Sequence, residues 1–243
     1  MSYRVFNLDE LAEYLHVKKS DLEGLVRRKE IPFDQQGGRV VFRQADVDSW
    51  ASRRILGFTG RDLADYHQTS SAKAHDLSAK HAIIPELVKA SYIDPALKAK
   101  TKASVIRAMV KLADQTELLN YPDDLLTAIQ QREQMCSTAL AGGIALLHAK
   151  NHEPYLSEDT FIVLGRAVQP VPFGSPDGRT TDIFFLLCTQ DDRIHLHLLA
   201  RLCMMCYHTN LLMDLREAHE AQEMLNVLLA AEEEIIRELR IPG

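Results

Sequence analysis

The chain has 243 residues, 46% of them hydrophobic and 26% charged, with a formal net charge of −6 at neutral pH. That balance is ordinary for a globular protein and suits one medium domain plus a smaller one. No apolar run approaches the roughly 18 residues of a membrane span. Asp9 and Glu10 stand where a secretory signal would carry its apolar core, so a cytoplasmic protein is expected. Charge divides unevenly, with residues 1–55 at net +1 and residues 56–243 at net −7.

The first segment alternates elements in a readable order. Leu11, Tyr14 and Leu15 fall at helical spacing over Asp9–Leu15, with Asn7 or Asp9 as a cap. A short turn, His16 to Lys19, leads to a second helix from near Ser20, with Leu22, Leu25 and Val26 as one stripe. Extended segments around Pro32-Phe33 and Val40–Phe42 flank Gln35-Gln36-Gly37-Gly38, a hairpin-like turn. A third helix follows from Ala45 to Arg54, anchored by Val47, Trp50 and Ile55. Helix, turn, helix, wing and helix over residues 1–56 resembles the excisionase/MerR-type winged helix-turn-helix. That resemblance implies DNA binding, with Lys18, Lys19, Arg27, Arg28 and Lys29 in the turn and recognition helix and Arg39 and Arg43 in the wing. Cations there would neutralise phosphates. Asp21 and Glu23, at the exposed start of the second helix, depart from the usual pattern, and a module kept for dimerisation or docking is the other reading.

Gly57-Phe58-Thr59-Gly60 interrupts the helical pattern, and Gln68 to Lys73 is small and polar, so residues 57–83 read as a linker with a short helix over Arg61–His67. Residues 84–243 form the second domain. Helices are expected at Leu87–Tyr92, Lys102–Ala113 and Pro122–Arg132, the last started by its proline. Strands are expected at Cys136–Leu140, Gly143–Leu147, Phe161–Val168 and Thr181–Cys188. A helix begins near Ile194, and a second helical stretch runs from Asn210 to Arg240. The fold class is therefore α/β, a mixed sheet of four to five strands covered by helices.

One stretch carries most of the chemistry: Arg132-Glu133, then Ser137-Thr138, a Gly142-Gly143 turn, and an apolar strand ending Leu147-His148-Ala149-Lys150. With Phe161 to Val168, Pro170 to Gly178, Thr181 to Cys188 and Arg193 to Leu202 in the same order, it resembles the enzyme IIA domains of the bacterial sugar phosphotransferase system, of mannitol/fructose/nitrogen type. The resemblance implies that His148 accepts a phosphoryl group and that a second histidine on a His-Leu-x-x-Leu-Ala helix, taken as His197, hydrogen-bonds it. It further implies that Arg132 grips phosphate oxygens and Thr138 offers a hydroxyl, with Ser137 the weaker candidate. His195 lies two residues before His197, and on a helix such residues point about 200° apart, so only one of them can face His148.

Leu147 replaces the family's usual proline, which leaves room for a domain that senses without accepting phosphate. The four cysteines show no disulfide spacing, and Cys203-Met204-Met205-Cys206 has no second ligand pair, so neither metal nor cofactor is expected. The function implied is a phosphotransferase-linked regulator whose carrier domain controls a DNA-binding module. The alternative is a transport carrier that passes phosphate to a separate IIB protein. The expected partners are a histidine-containing phosphocarrier protein as donor and DNA, with a homodimer left open.

Overall fold

The computed structural model describes residues 5–15, 17–57, 82–149, 153–190 and 192–240. The short helix expected over Arg61–His67 lies outside the described residues, as does most of the expected linker. The N-terminal module runs β1 (Val5–Phe6), α1 (Leu8–Tyr14), α2 (Lys19–Arg27), β2 (Asp34–Gln36), β3 (Arg39–Arg43) and α3 (Gln44–Leu56). Asn7 caps α1, its side chain accepting from the Asp9 and Glu10 amides while the Glu10 carboxylate accepts the Asn7 N–H, a reciprocal box that fixes the helix start. β3 pairs antiparallel with both β1 and β2. Gly37 and Gly38 turn the β2–β3 wing with φ of 57° and 78°, a left-handed pair that a side chain would strain.

The second domain follows as α4 (Ile84–Leu87), a 3₁₀ turn (Ala90–Tyr92), β4 (Ile93–Leu97), α5 (Lys102–Asp114) and α6 (Pro122–Met135). Then come β5 (Ala139–Leu140), β6 (Ile144–His148), β7 (Phe161–Val171), β8 (Thr181–Cys188), α7 (Asp192–His208), α8 (Leu211–Glu217) and α9 (Ala221–Arg240). The five strands order as β4-β7-β8-β6-β5. β4 runs parallel to β7 and β6 parallel to β8, while β7–β8 and β5–β6 are antiparallel, so the sheet is mixed. The fold class read from the sequence is the one observed.

Three local expectations need correction. The helix expected over Leu87–Tyr92 is instead the end of α4 and the 3₁₀ turn, and it leads into a strand, β4, that carries Pro95. Proline is tolerated because β4 is the edge strand, and Arg166 Nε donates to its carbonyl. The strand expected over Cys136–Leu140 shrinks to Ala139–Leu140. The single helical stretch from Asn210 to Arg240 breaks between α8 and α9, where the Glu223 carboxylate accepts the His219 and Glu220 amides and starts a new helix.

Alternation along the strands divides the core into two layers. Ala145, Leu147, Val163, Phe184 and Leu186 face a cluster that includes Val105, Met109 and Ile129 of α5 and α6. Ile144, Leu146, Ile162, Phe185 and Leu187 face α7 and α9. The second cluster continues without a break into Leu11, Leu22, Phe42, Val47 and Ile55 of the N-terminal module, because α3 packs on α7. Every residue from His195 to Met205 is buried. A helix buried all round must be covered on all sides, and α3 and α9 are among the elements packed on it. No described helix is long and apolar enough to cross a membrane.

Candidate functional site

His148 is the last residue of β6 and is 1% exposed. Its period along the strand puts it on the α7 side with Ile144 and Leu146. Among the described residues, Arg132, Leu146 and His195 converge on the ring. Arg132, in the last turn of α6, donates from Nε to His148 Nε2 at 3.0 Å. The Leu146 carbonyl lies 2.8 Å from His148 Nδ1. His195, on α7, sets its ring with the centroid 4.7 Å from that of His148.

These contacts decide the tautomer. A guanidinium can only donate, so Nε2 is the acceptor and the ring proton sits on Nδ1, donated to Leu146. The lone pair that a nucleophile uses is thus on Nε2, at the end of the ring addressed by Arg132.

Arg132 is 2% exposed, and its remaining bonds go to the Cys136 carbonyl at 3.1 Å and the Cys136 sulfur at 3.4 Å, both from Nη1. Nη2 is buried with no hydrogen-bond partner, and among the described residues no carboxylate pairs with this guanidinium. A buried cation without a counter-ion, with an N–H to spare, is unfavourable unless an anion arrives to complete it.

The other expected residues are placed differently. The Thr138 hydroxyl donates to Glu133 Oε2 at 2.7 Å, and Ser137 Oγ donates to the Phe173 carbonyl at 2.9 Å, so both hydroxyls are engaged within the fold. The choice of His197 as the histidine facing His148 is corrected: the helix presents His195 there. His197 is buried near Arg201 instead, and burial first, then the Arg201 charge, hold its pKa down to about 3. The signal for His195 was in the sequence, since His195-Leu196-x-x-Leu199-Ala200 fits the block His-Leu-x-x-Leu-Ala, whereas His197 does not. Glu133 and Lys102, which join at 2.6 Å, were not singled out as site residues.

Lys18, Lys19, Arg27, Arg28, Lys29, Arg39 and Arg43 are all exposed on the N-terminal module. Lys19 is held by Asp9 at 2.6 Å, Arg28 by Glu30 at 2.8 Å and Arg43 by Asp34 at 2.8 Å. Lys18, Arg27, Lys29 and Arg39 have no such partner among the described residues. Asp21 and Glu23 are exposed on the same helix as Arg27. Among the described residues, no group of three or more histidine, cysteine, aspartate or glutamate side chains is placed to hold a metal ion.

The family model for the phosphoenolpyruvate-dependent sugar phosphotransferase system, EIIA 2, matches residues 86–231. The chain belongs to this family. A helix-turn-helix domain model matches residues 5–55, ahead of the EIIA domain. A nitrogen regulatory protein from Bradyrhizobium diazoefficiens is 31% identical over 148 residues, spanning 60% of this chain and 94% of that protein. The fructose-specific EIIABC component of the phosphotransferase system from Bacillus subtilis is 28% identical over 147 residues, which is 60% of this chain but 23% of that larger protein. Among solved structures, the nitrogen regulatory protein IIA-Ntr from Neisseria meningitidis superposes with a TM-score of 0.55 at 22% identity, covering 60% of this chain and 99% of its own, a likeness of fold.

Proposed function

We propose that this chain is a phosphotransferase-linked regulator in which His148 accepts a phosphoryl group and the state of that histidine alters DNA binding by the N-terminal module. The observation that carries the acceptor assignment is the buried Arg132 guanidinium, which touches Nε2 of His148 and holds a further N–H without a partner. In the transfer, Nε2 attacks the phosphorus of a phosphohistidine on a phosphocarrier protein. The P–N bond to the donor breaks in line, and the donor imidazole leaves with its electron pair. Nδ1–H remains on the Leu146 carbonyl throughout, which keeps the lone pair on the reacting nitrogen. Arg132 gives up its bond to Nε2 and takes phosphoryl oxygens, a charge-assisted fork suited to them. His195 lies against the acceptor ring and is the second histidine of the site, stabilising the incoming charge. Thr138 serves through its bond to Glu133.

Control of the module follows from packing. The incoming dianion would sit between Arg132 and α7, and α7 is the helix against which α3 lies. A shift of α7 has no solvent gap to absorb it, so it passes to α3 and to the helices packed on it. The helix-turn-helix domain favours the regulator over a transport carrier, for which it has no use.

The test uses the full-length chain, incubated with phosphoenolpyruvate and the general phosphotransferase proteins. The expected product is an acid-labile, base-stable phosphohistidine that is abolished by His148→Ala. Duplex DNA retention is expected to differ between the phosphorylated and unmodified forms. Labelling that survives in His148→Ala would overturn the acceptor assignment, and equal retention of both forms would overturn the control.

A further inference from the structure

A carboxylate in the last turn of a helix faces the negative end of the helix dipole, and a buried one also loses its water. Glu133 is both, which makes its four contacts informative. Its Oε1 meets Lys102 Nζ at 2.6 Å and accepts the Thr138 amide at 3.2 Å. Its Oε2 accepts the same amide at 3.0 Å and the Thr138 hydroxyl at 2.7 Å. The contacts continue to the acceptor. The Thr138 carbonyl accepts the Leu146 amide at 3.1 Å, and the Leu146 carbonyl accepts His148 Nδ1–H at 2.8 Å.

We propose that Glu133, clamped by Lys102, is a positioning residue that fixes both ring nitrogens of His148 from one frame. It ties the end of α6, which carries Arg132 to Nε2, to Thr138, whose carbonyl accepts the amide of Leu146, the residue whose own carbonyl lies under Nδ1. Cys136 and Ser137 turn the chain between these elements, and Cys136, at the end of α6, is extended rather than helical. The carboxylate is therefore the bridge across the turn. Lys102 has a second effect. By satisfying Glu133 it keeps that charge from Arg132, whose own charge is left for the phosphoryl group. Lys102 itself is steadied 4.7 Å above the Phe173 ring.

The inference rests on the acceptor reading of His148 and can be separated from it by reading two quantities on the full-length chain. One is the rate of labelling from the phosphocarrier. The other is the ring tautomer of His148, read from the ¹⁵N shifts of its two nitrogens. The variants are Glu133→Gln and Lys102→Met. The second is on a partly exposed side chain and guards against a Gln variant that fails to fold. Wild type is expected to hold the Nδ1–H tautomer. Both variants are expected to show a mixture of tautomers and to label about tenfold more slowly, since small misplacements at a reacting atom have large effects on rate. A His148 ring that keeps the wild-type tautomer in both variants overturns the proposal, whatever the labelling rate. If wild type takes no label, the acceptor reading falls, while a tautomer shift in the variants still supports the positioning role and its absence still defeats it.

Discussion

In the N-terminal module, cations lie on the surface, and three of the seven expected to meet DNA are already held by neighbouring carboxylates. In the EIIA domain, Arg132 is buried, has no carboxylate partner among the described residues and keeps the Nη2 amino group in reserve. The two placements suit different tasks. Exposed charge is screened within about 8–10 Å at ordinary salt, so it serves attraction to a polyanion and tolerates partial pairing. Buried charge is scarcely screened, so a single guanidinium can hold one phosphoryl group in one geometry. On the proposed function, the module therefore spreads its effect over many side chains, and the acceptor site concentrates it in few.

The sharpest way to break that contrast is Arg132→Ala. Labelling of His148 is expected to fall by about a hundredfold or more, as for removal of a preorganised donor to developing charge. A wild-type rate in this variant, measured by phosphohistidine formation, would make the arginine structural and erase the contrast.

The two histidines on α7 give the next test. His195→Ala is expected to slow labelling by about tenfold or more, whereas His197→Gln leaves the rate near wild type and acts on stability instead. The direction follows from proton uptake. An unfolded histidine binds a proton below about pH 6.5, whereas folded His197 resists until about 3, so the unfolded state holds more protons between those values. Stability from this residue is complete above pH 6.5 and is lost as pH falls toward 3, by up to on the order of 1.4 kcal/mol per unit. Urea midpoints across pH 4–7 should show a shallower acid limb in His197→Gln than in wild type. An unchanged limb would remove His197 from the account of acid stability.

The smallest effects belong to the module. Arg27→Ala is expected to weaken DNA retention several-fold and lower the slope of log affinity against log salt by about 0.9, the share of one phosphate contact. Arg28→Ala should do less, because both its Nε and Nη2 are already donated to Glu30. Equal effects from the two substitutions would show that Glu30 releases Arg28 on binding.

Much of this organisation is legible in the sequence because period and punctuation are local properties. Leu22 and Leu25, the paired glycines of the wing and the apolar strand before His148 each announce their element within a few residues. What was missed depends on the third dimension. β4 was hidden because an edge strand tolerates the Pro95 that argues against a strand. The facing histidine was misjudged because α7 is buried on every side, so its hydrophobic pattern gives no orientation and only the register of the His-Leu-x-x-Leu-Ala block remains. Asp48 and Ser52 on α3 are both buried although neither is apolar, and the Tyr14 hydroxyl of α1 that donates to Asp48 lies too far away in sequence for any local pattern to report. The bond from Glu133 to Lys102 spans two helices and was equally out of reach.

The packing of α3 on α7 also sets the grain of the molecule as a folding unit. With one apolar cluster running from Phe6 to Ile235, the helix-turn-helix module has no separate core to melt around. Loss of the module would strip the cover that α3 gives α7 and leave an apolar strip open to other chains. A nick in the backbone between residues 58 and 81 would leave the two pieces holding each other through that strip. The fusion is thus maintained by the fit of two helices as much as by the peptide chain that joins them.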